Sequence, residues 1–411
     1  MQPLNFQKIT HKMFITSLSG VAVTMPLNIW LNGLLIVLTG VCAMLQFVAH
    51  KRKIVFNKQI LFFICLYLGA VIGVINSKNL EIAYFDLEQK LPWLSLPLIF
   101  LIGNKISRGE FILILKLFLL SLCCVNAYAL TTPESFINQP FTNQLSMTWF
   151  TWNESLPIGR IYLGIYCVFG LVIINYLLNL PTRRIEKIIY AIVFLLLVVS
   201  LVNTFAKTSM VIFLVLCVVE LGYVLCKKGK PFFYAGAGML MAITIVVSVT
   251  NNPLHNVAKK ILNKEKFDFS NKPLLFESVN FRYLTWESSW IALKQDNNWI
   301  TGVGTGDTQK ILNEIYQTKL NEHERNHIAM GYNSHNQYFT TWLNFGLVFF
   351  LIMVYQFFYS LQSYYHKNLR IGIYFILIVM GSCLTESMFE RQQGIVFYTF
   401  FQLLFSMIDG E

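Results

Sequence analysis

Charge is what this 411-residue chain has least of: only 13% of its residues are Asp, Glu, Lys or Arg, about half of the roughly 25% found in soluble domains. That shortage excludes an ordinary soluble globule, a disordered chain and a coiled coil. With 55% of residues hydrophobic, what remains is an all-α polytopic membrane protein, each crossing needing about 20 apolar residues. Cysteine is missing from the long loops. All eight, among them Cys42, Cys65, Cys167 and Cys383, fall within or at the ends of apolar runs, so no disulfide framework is implied. No small-residue cleavage site follows the first apolar run, and Pro26 comes directly after it, which reads as an uncleaved span and not a signal peptide. Neither an internal repeat nor a low-complexity tract is visible.

Apolar runs, read against the charges that interrupt them, give about twelve transmembrane helices, centred near Gly20, Leu38, Tyr67, Leu96, Phe118, Cys167, Phe194, Val215, Met241, Phe350, Ile378 and Phe401. The first and fourth are short. Basic clusters occupy every second loop: Lys51-Arg52-Lys53 with Lys58, Lys105 and Arg108, Arg183-Arg184 with Lys187, Lys227-Lys228 with Lys230, and Lys367 with Arg370. With Lys8 and Lys12, these loops carry 16 basic residues against four acidic ones, whereas the other side holds 15 basic and 16 acidic. Such asymmetry is the positive-inside signal and predicts that both termini are cytoplasmic. The net charge of +11 is therefore an orientation signal. A nucleic-acid partner is set aside, since no stripe of basic and aromatic residues forms outside the short cytoplasmic loops.

The organisation follows: spans one to nine over 1–250, a large external loop over 251–335, and spans ten to twelve over 336–411. Asn251 to Ser334 holds 19 charged residues in 84, close to soluble density, and is expected to form short helices under an irregular lid. A second external loop, Thr131 to Ile158, contains Trp149 and Trp152. On this topology all eight tryptophans lie at the external face. An interfacial belt accounts for tryptophan at a membrane surface, but a belt belongs on both faces, so the one-sided set also suggests a flat or sugar-like ligand.

The long loop ends at Asn333-Ser334-His335-Asn336, just before the tenth span, Gln337 to Leu361. A histidine at a membrane entrance can accept a proton near neutral pH and so activate a hydroxyl; alone, such a residue is more often a satisfied interfacial histidine or a helix cap. Upstream, Arg282 and Trp286 open an amphipathic stretch. It leads to Gly302-Val303-Gly304-Thr305-Gly306-Asp307 and a helix-like stripe of Leu312, Tyr316 and Leu320. Asp307 and Thr308 are capping types, and backbone amides at such a start can hold phosphate. As a nucleotide motif the run fails: no strand precedes it and no Gly-Lys-Ser/Thr follows. His323-Glu324-Arg325-Asn326-His327 fits the zinc-protease spacing. The extended pattern, however, would need Gly at Met330 and His at Asn333, so a chance match in a polar helix is the preferred reading and no metal is expected.

Taken together, Arg282 with Trp286, the run Gly302 to Gly306, His335-Asn336 followed after nine residues by Gly346, and Thr385-Glu386 resemble the O-antigen ligase and polymerase superfamily of bacterial inner-membrane glycosyltransferases. The resemblance extends weakly over the whole twelve-span layout. It implies transfer of a glycan from undecaprenyl diphosphate to an acceptor at the periplasmic face, without a nucleotide sugar or other cofactor. His335 then takes the base role, and basic residues hold the diphosphate. Arg282 matches a family arginine. Where the family commonly has another arginine at the outer end of a middle span, this chain has Lys207, a point charge in place of a planar fork. Arg160, at the outer end of the sixth span, is a further candidate.

Independent physics agrees, because a lipid diphosphate keeps its tails in the bilayer and its charge at the surface. Its cations should therefore cluster at one membrane level, where the topology puts Arg160, Lys207, Arg282 and Arg391. Singly each could be an interfacial anchor or an ion-pair partner, as Arg391 could be for Glu390; ionisable residues near membrane depth are nonetheless costly and usually functional. The expected enzyme is an O-antigen ligase-like transferase with His335 and Asn336 at the catalytic centre. Arg282, Lys207 and Arg160 would sit on the diphosphate, and Trp286, Gly304 and Glu386 against the acceptor or glycan. Its partners would be the undecaprenyl diphosphate-linked glycan, a lipid A-core or other glycan acceptor, and membrane lipids. A polymerase with the same donor is the alternative, and a flippase or solute transporter the more distant one; transporters, however, concentrate such residues near the bilayer midplane.

Overall fold

A computed structural model of the protein describes residues 3–50, 54, 57–131, 158–228, 278–320 and 331–408. These are helical, with no strand among the described residues. In chain order the helices are α1 (Pro3–Thr24), α2 (Ile29–His50), α3 (Lys58–Ile75), α4 (Leu80–Gln89), α5 (Pro92–Ile102), α6 (Arg108–Thr131), α7 (Arg160–Leu178), α8 (Arg184–Asn203) and α9 (Lys207–Lys228). Then come α10 (Ser278–Lys294), α11 (Asn298–Thr301), α12 (Thr308–Lys319), α13 (Gln337–Phe345), α14 (Leu347–His366), α15 (Arg370–Cys383) and α16 (Gln392–Ser406). Helices α2, α3, α6, α7, α8 and α14 are long and apolar enough to cross a membrane, so the chain is a helical membrane protein. Eleven of the twelve expected centres fall on described helices; the one near Met241 lies outside the described residues. Helices α5, α15 and α16 have 11, 14 and 15 residues, too few at about 1.5 Å per residue to traverse about 30 Å of hydrocarbon unaided.

The chain divides into two units, Met1–Phe118 with Asp268–Glu411, and Leu119–Phe267. The last helix, α16, is central to the first unit and is buried from Gly394 to Phe405, as its all-round apolar character requires. Phe401 packs edge-on against Phe118 and Phe400, and Phe405 against Phe111, Tyr364 and Phe375. Such edge-to-face pairs each add about 0.5–1.5 kcal/mol beyond area burial. Polar residues also hold helices together: the Asn32 side-chain amide donates to Val21 O at 2.7 Å and fastens α2 to α1.

The described part of the large loop has a core of its own, in which α10, α12 and α13 pack through Leu284, Leu293, Leu312, Ile315, Tyr316, Leu320 and Leu343. The expected stripe of Leu312, Tyr316 and Leu320 is buried here. The tenth span differs from the sequence expectation. Instead of one helix from Gln337 to Leu361, the chain breaks at Gly346, φ +84°, where a Cβ would lie 2.4 Å from Ile300 O. Only α14, beyond the break, qualifies as a span. In the second unit, α7 packs on α9 through Gly164, where a Cβ would come within 2.7 Å of the Ala206 Cβ.

Candidate functional site

His335 occupies the turn into α13 with φ +45°, a left-handed conformation uncommon for a non-glycine residue and one that clusters at functional sites. Both neighbours explain how it is held. The His335 N–H donates to Asn333 Oδ1 at 3.0 Å. Asn336 is the N-cap of α13: its Oδ1 accepts from Tyr338 N at 2.9 Å and Phe339 N at 3.2 Å, and its Nδ2 donates to Leu384 O at 3.1 Å. The sequence expectation put Asn336 at the catalytic centre, to orient the histidine or cap its helix; its contacts are those of a cap that ties the histidine turn to the loop before α16.

Arg282 of α10, His335 and Glu386 converge. One Glu386 oxygen accepts from the Arg282 guanidinium at 3.0 Å and the other lies 3.5 Å from His335 Nδ1, while Arg282 Nε donates to Thr385 O at 3.2 Å. The rings of Phe281 and Tyr332 flank the imidazole, at 5.3 and 6.2 Å between centroids. Half-buried, the histidine keeps 26% of its side chain exposed. The arrangement is that of an imidazole beside a carboxylate that is itself held by a guanidinium. Glu386, expected against the glycan, directs both oxygens at these two side chains.

Trp286 lies one helical turn beyond Arg282, on the same face by spacing, with its indole N–H buried and unpartnered. Gly304, φ +88°, packs its backbone on Ser77, where a Cβ would lie 2.7 Å from Oγ. The glycine run thus clamps the end of α3: Gly306 N donates to Ser77 Oγ at 2.9 Å and Thr305 N to Gly73 O at 3.3 Å. Asp307 is the N-cap residue of α12, yet its carboxylate accepts from Lys78 N at 2.6 Å and not from its own helix. Tryptophans Trp290, Trp299 and Trp342 cluster nearby: Trp342 Nε1 donates to Trp299 O at 2.6 Å, and Trp290 and Trp342 meet edge to face. Trp93, by contrast, is fully buried and belongs to no interfacial belt.

Residues 192–354 match the family model for O-antigen ligase. This stretch belongs to the O-antigen ligase superfamily. It contains Lys207, Arg282, Trp286, Gly304, His335 and Asn336; Arg160 and Glu386 fall outside it. No curated protein matches the chain. Together with the membrane-spanning helices, the O-antigen ligase family implies a glycosyltransferase-type enzyme of the bacterial inner membrane that works on lipid-linked glycan.

Arg160 and Lys207 belong to the second unit, where they open α7 and α9. The Gly164 contact with Ala206 brings these two helix starts side by side, so two cations share an end with two positive helix termini, a combination suited to an anion. Trp149, Trp152 and the His323-Glu324-x-x-His327 motif lie outside the described residues.

Sequence reasoning passed over a further group. Lys90 is fully buried, its ammonium in contact with Asp86 and 3.3 Å from Glu390 Oε1. Burial pushes the Glu390 carboxyl up to about 7, against the pull of Lys90, with Asp86 adding to the rise and Arg391 opposing it. The only sequence signal was Asp86 and Lys90 at i, i+4 in a segment that also carries Glu81 and Glu88.

Proposed function

We propose that the protein transfers a glycan from undecaprenyl diphosphate to a hydroxyl of a lipid A-core acceptor at the periplasmic face. The observation that carries this reading is the Arg282–Glu386–His335 constellation, inside or bordering a stretch of O-antigen ligase type. Glu386 fixes the imidazole ring through Nδ1, leaving Nε2 to take the acceptor proton. The freed oxygen attacks the anomeric carbon of the glycan. A new glycosidic bond forms, the carbon–oxygen bond to the diphosphate breaks, and the leaving diphosphate keeps the electron pair. Arg282 stabilises the charge that builds there; Lys207 and Arg160, at the starts of α9 and α7, are the other candidate cations for a diphosphate. Trp286 supplies a flat face for sugar. No metal takes part in this scheme. On the positive-inside reading both termini are cytoplasmic and the chain has about twelve spans.

A polymerase shares the donor chemistry and differs in its acceptor, so the test is the product left when the gene is deleted. Loss of a ligase leaves core lipid with no attached repeats, the outcome expected here. Core lipid bearing a single repeat would identify a polymerase instead.

A further inference from the structure

The loop between α15 and α16 carries Glu386 and runs along one side of α13, fastened at successive turns. Leu384 O accepts from Asn336 Nδ2 at 3.1 Å, the Ser387 hydroxyl meets Thr340 Oγ1 at 2.8 Å, and Phe389 N donates to Gln337 Oε1 at 2.6 Å. At the far end Glu390 Oε1 accepts from Asn344 Nδ2 at 3.4 Å and from the Lys90 ammonium at 3.3 Å. Lys90 reaches it from the C-terminus of α4, 300 residues away in sequence, and lies over the Phe345 ring. Beside it Trp93 packs edge-on against both Phe345 and Phe389, closing the end of the splint.

A fully buried ammonium is costly unless paired, and a single hydrophobic side chain would fill the same volume without that cost. Two carboxylates compensate Lys90, one from its own helix and one from the loop that presents Glu386. We propose that Lys90 is a positioning residue: by holding Glu390, it fixes the register of the 384–390 loop and so keeps Glu386 against His335 and Arg282. The inference rests on the reading of His335 as the base.

The test compares wild type, Lys90→Met and Glu390→Gln, each purified and reconstituted in vesicles with the carrier-linked glycan and the acceptor, with His335→Ala as reference. Two quantities are followed: kcat and KM for transfer, and the rate at which diethyl pyrocarbonate modifies His335, read by mass spectrometry. Lys90→Met is expected to lower kcat about tenfold or more with KM within about twofold, since it loosens the reacting groups and not substrate binding. His335 should become modified about threefold faster as the loop opens. A folded Lys90→Met protein with wild-type kcat and unchanged His335 protection overturns the proposal. If Lys90→Met does not fold, Glu390→Gln decides by the same two readouts. Full activity in His335→Ala would remove the base role, whereas the modification rate still judges whether Lys90 holds the loop.

Discussion

At the scale of single residues, His335 combines a left-handed backbone, φ +45°, with an imbedded carboxylate partner, and a strained non-glycine conformation costs of order 1–3 kcal/mol. Asn333 and Asn336 offset that cost by accepting backbone N–H groups on either side of the turn. Glu386→Gln keeps the size of the side chain but removes the charge that orients the ring and holds Arg282. It is expected to lower kcat about 100-fold, within the range that general acid–base catalysis contributes, as measured by steady-state transfer in reconstituted vesicles; a loss confined to KM would assign Glu386 to substrate binding instead. Arg282, His335 and Glu386 were legible in the sequence because each sits in a short local pattern. Lys90 was not, because neither its complete burial nor a partner 300 residues away leaves a local trace.

At the scale of elements, the apolar runs located most helices, but their ends depend on contacts that periodicity does not encode. The run from Gln337 to Leu361 is continuous in hydrophobicity, yet Gly346 splits it because the α11 backbone presses against that point. The glycines at 302, 304 and 306 could hold phosphate but read in isolation as a structural turn between two helices; they meet the Ser77–Asn79 segment and the end of α13, so their small size serves close packing. Gly346→Ala would face both a positive φ and a Cβ 2.4 Å from Ile300 O, and a left-handed non-glycine alone costs about 1–3 kcal/mol. A lowered unfolding temperature in detergent and a drop in transfer are expected, since the break sets the direction of α13 and hence of His335. An unchanged unfolding temperature would show that the α11 backbone yields freely. Likewise α16 looked like an ordinary last span, but its 15 residues are surrounded by other helices and form the centre of the first unit.

For the whole molecule, scarcity of charge identifies a membrane protein. On the proposed function its basic loops lie on the cytoplasmic side, in keeping with the positive-inside rule. Among the described residues two ion-pair groups border the 384–390 loop, Arg282, Glu386 and His335 near its start and Lys90, Asp86 and Glu390 at its end. The second unit offers its own cation pair at the starts of α7 and α9. On the proposed function these groups divide the work between proton removal and charge stabilisation, neither of which needs a nucleotide. The central claim is that His335 removes the acceptor proton in glycan transfer. Its most direct test is the transfer rate of purified His335→Ala in vesicles supplied with carrier-linked glycan and acceptor. A folded variant with no detectable product is the predicted result, and product at the wild-type rate would contradict the account.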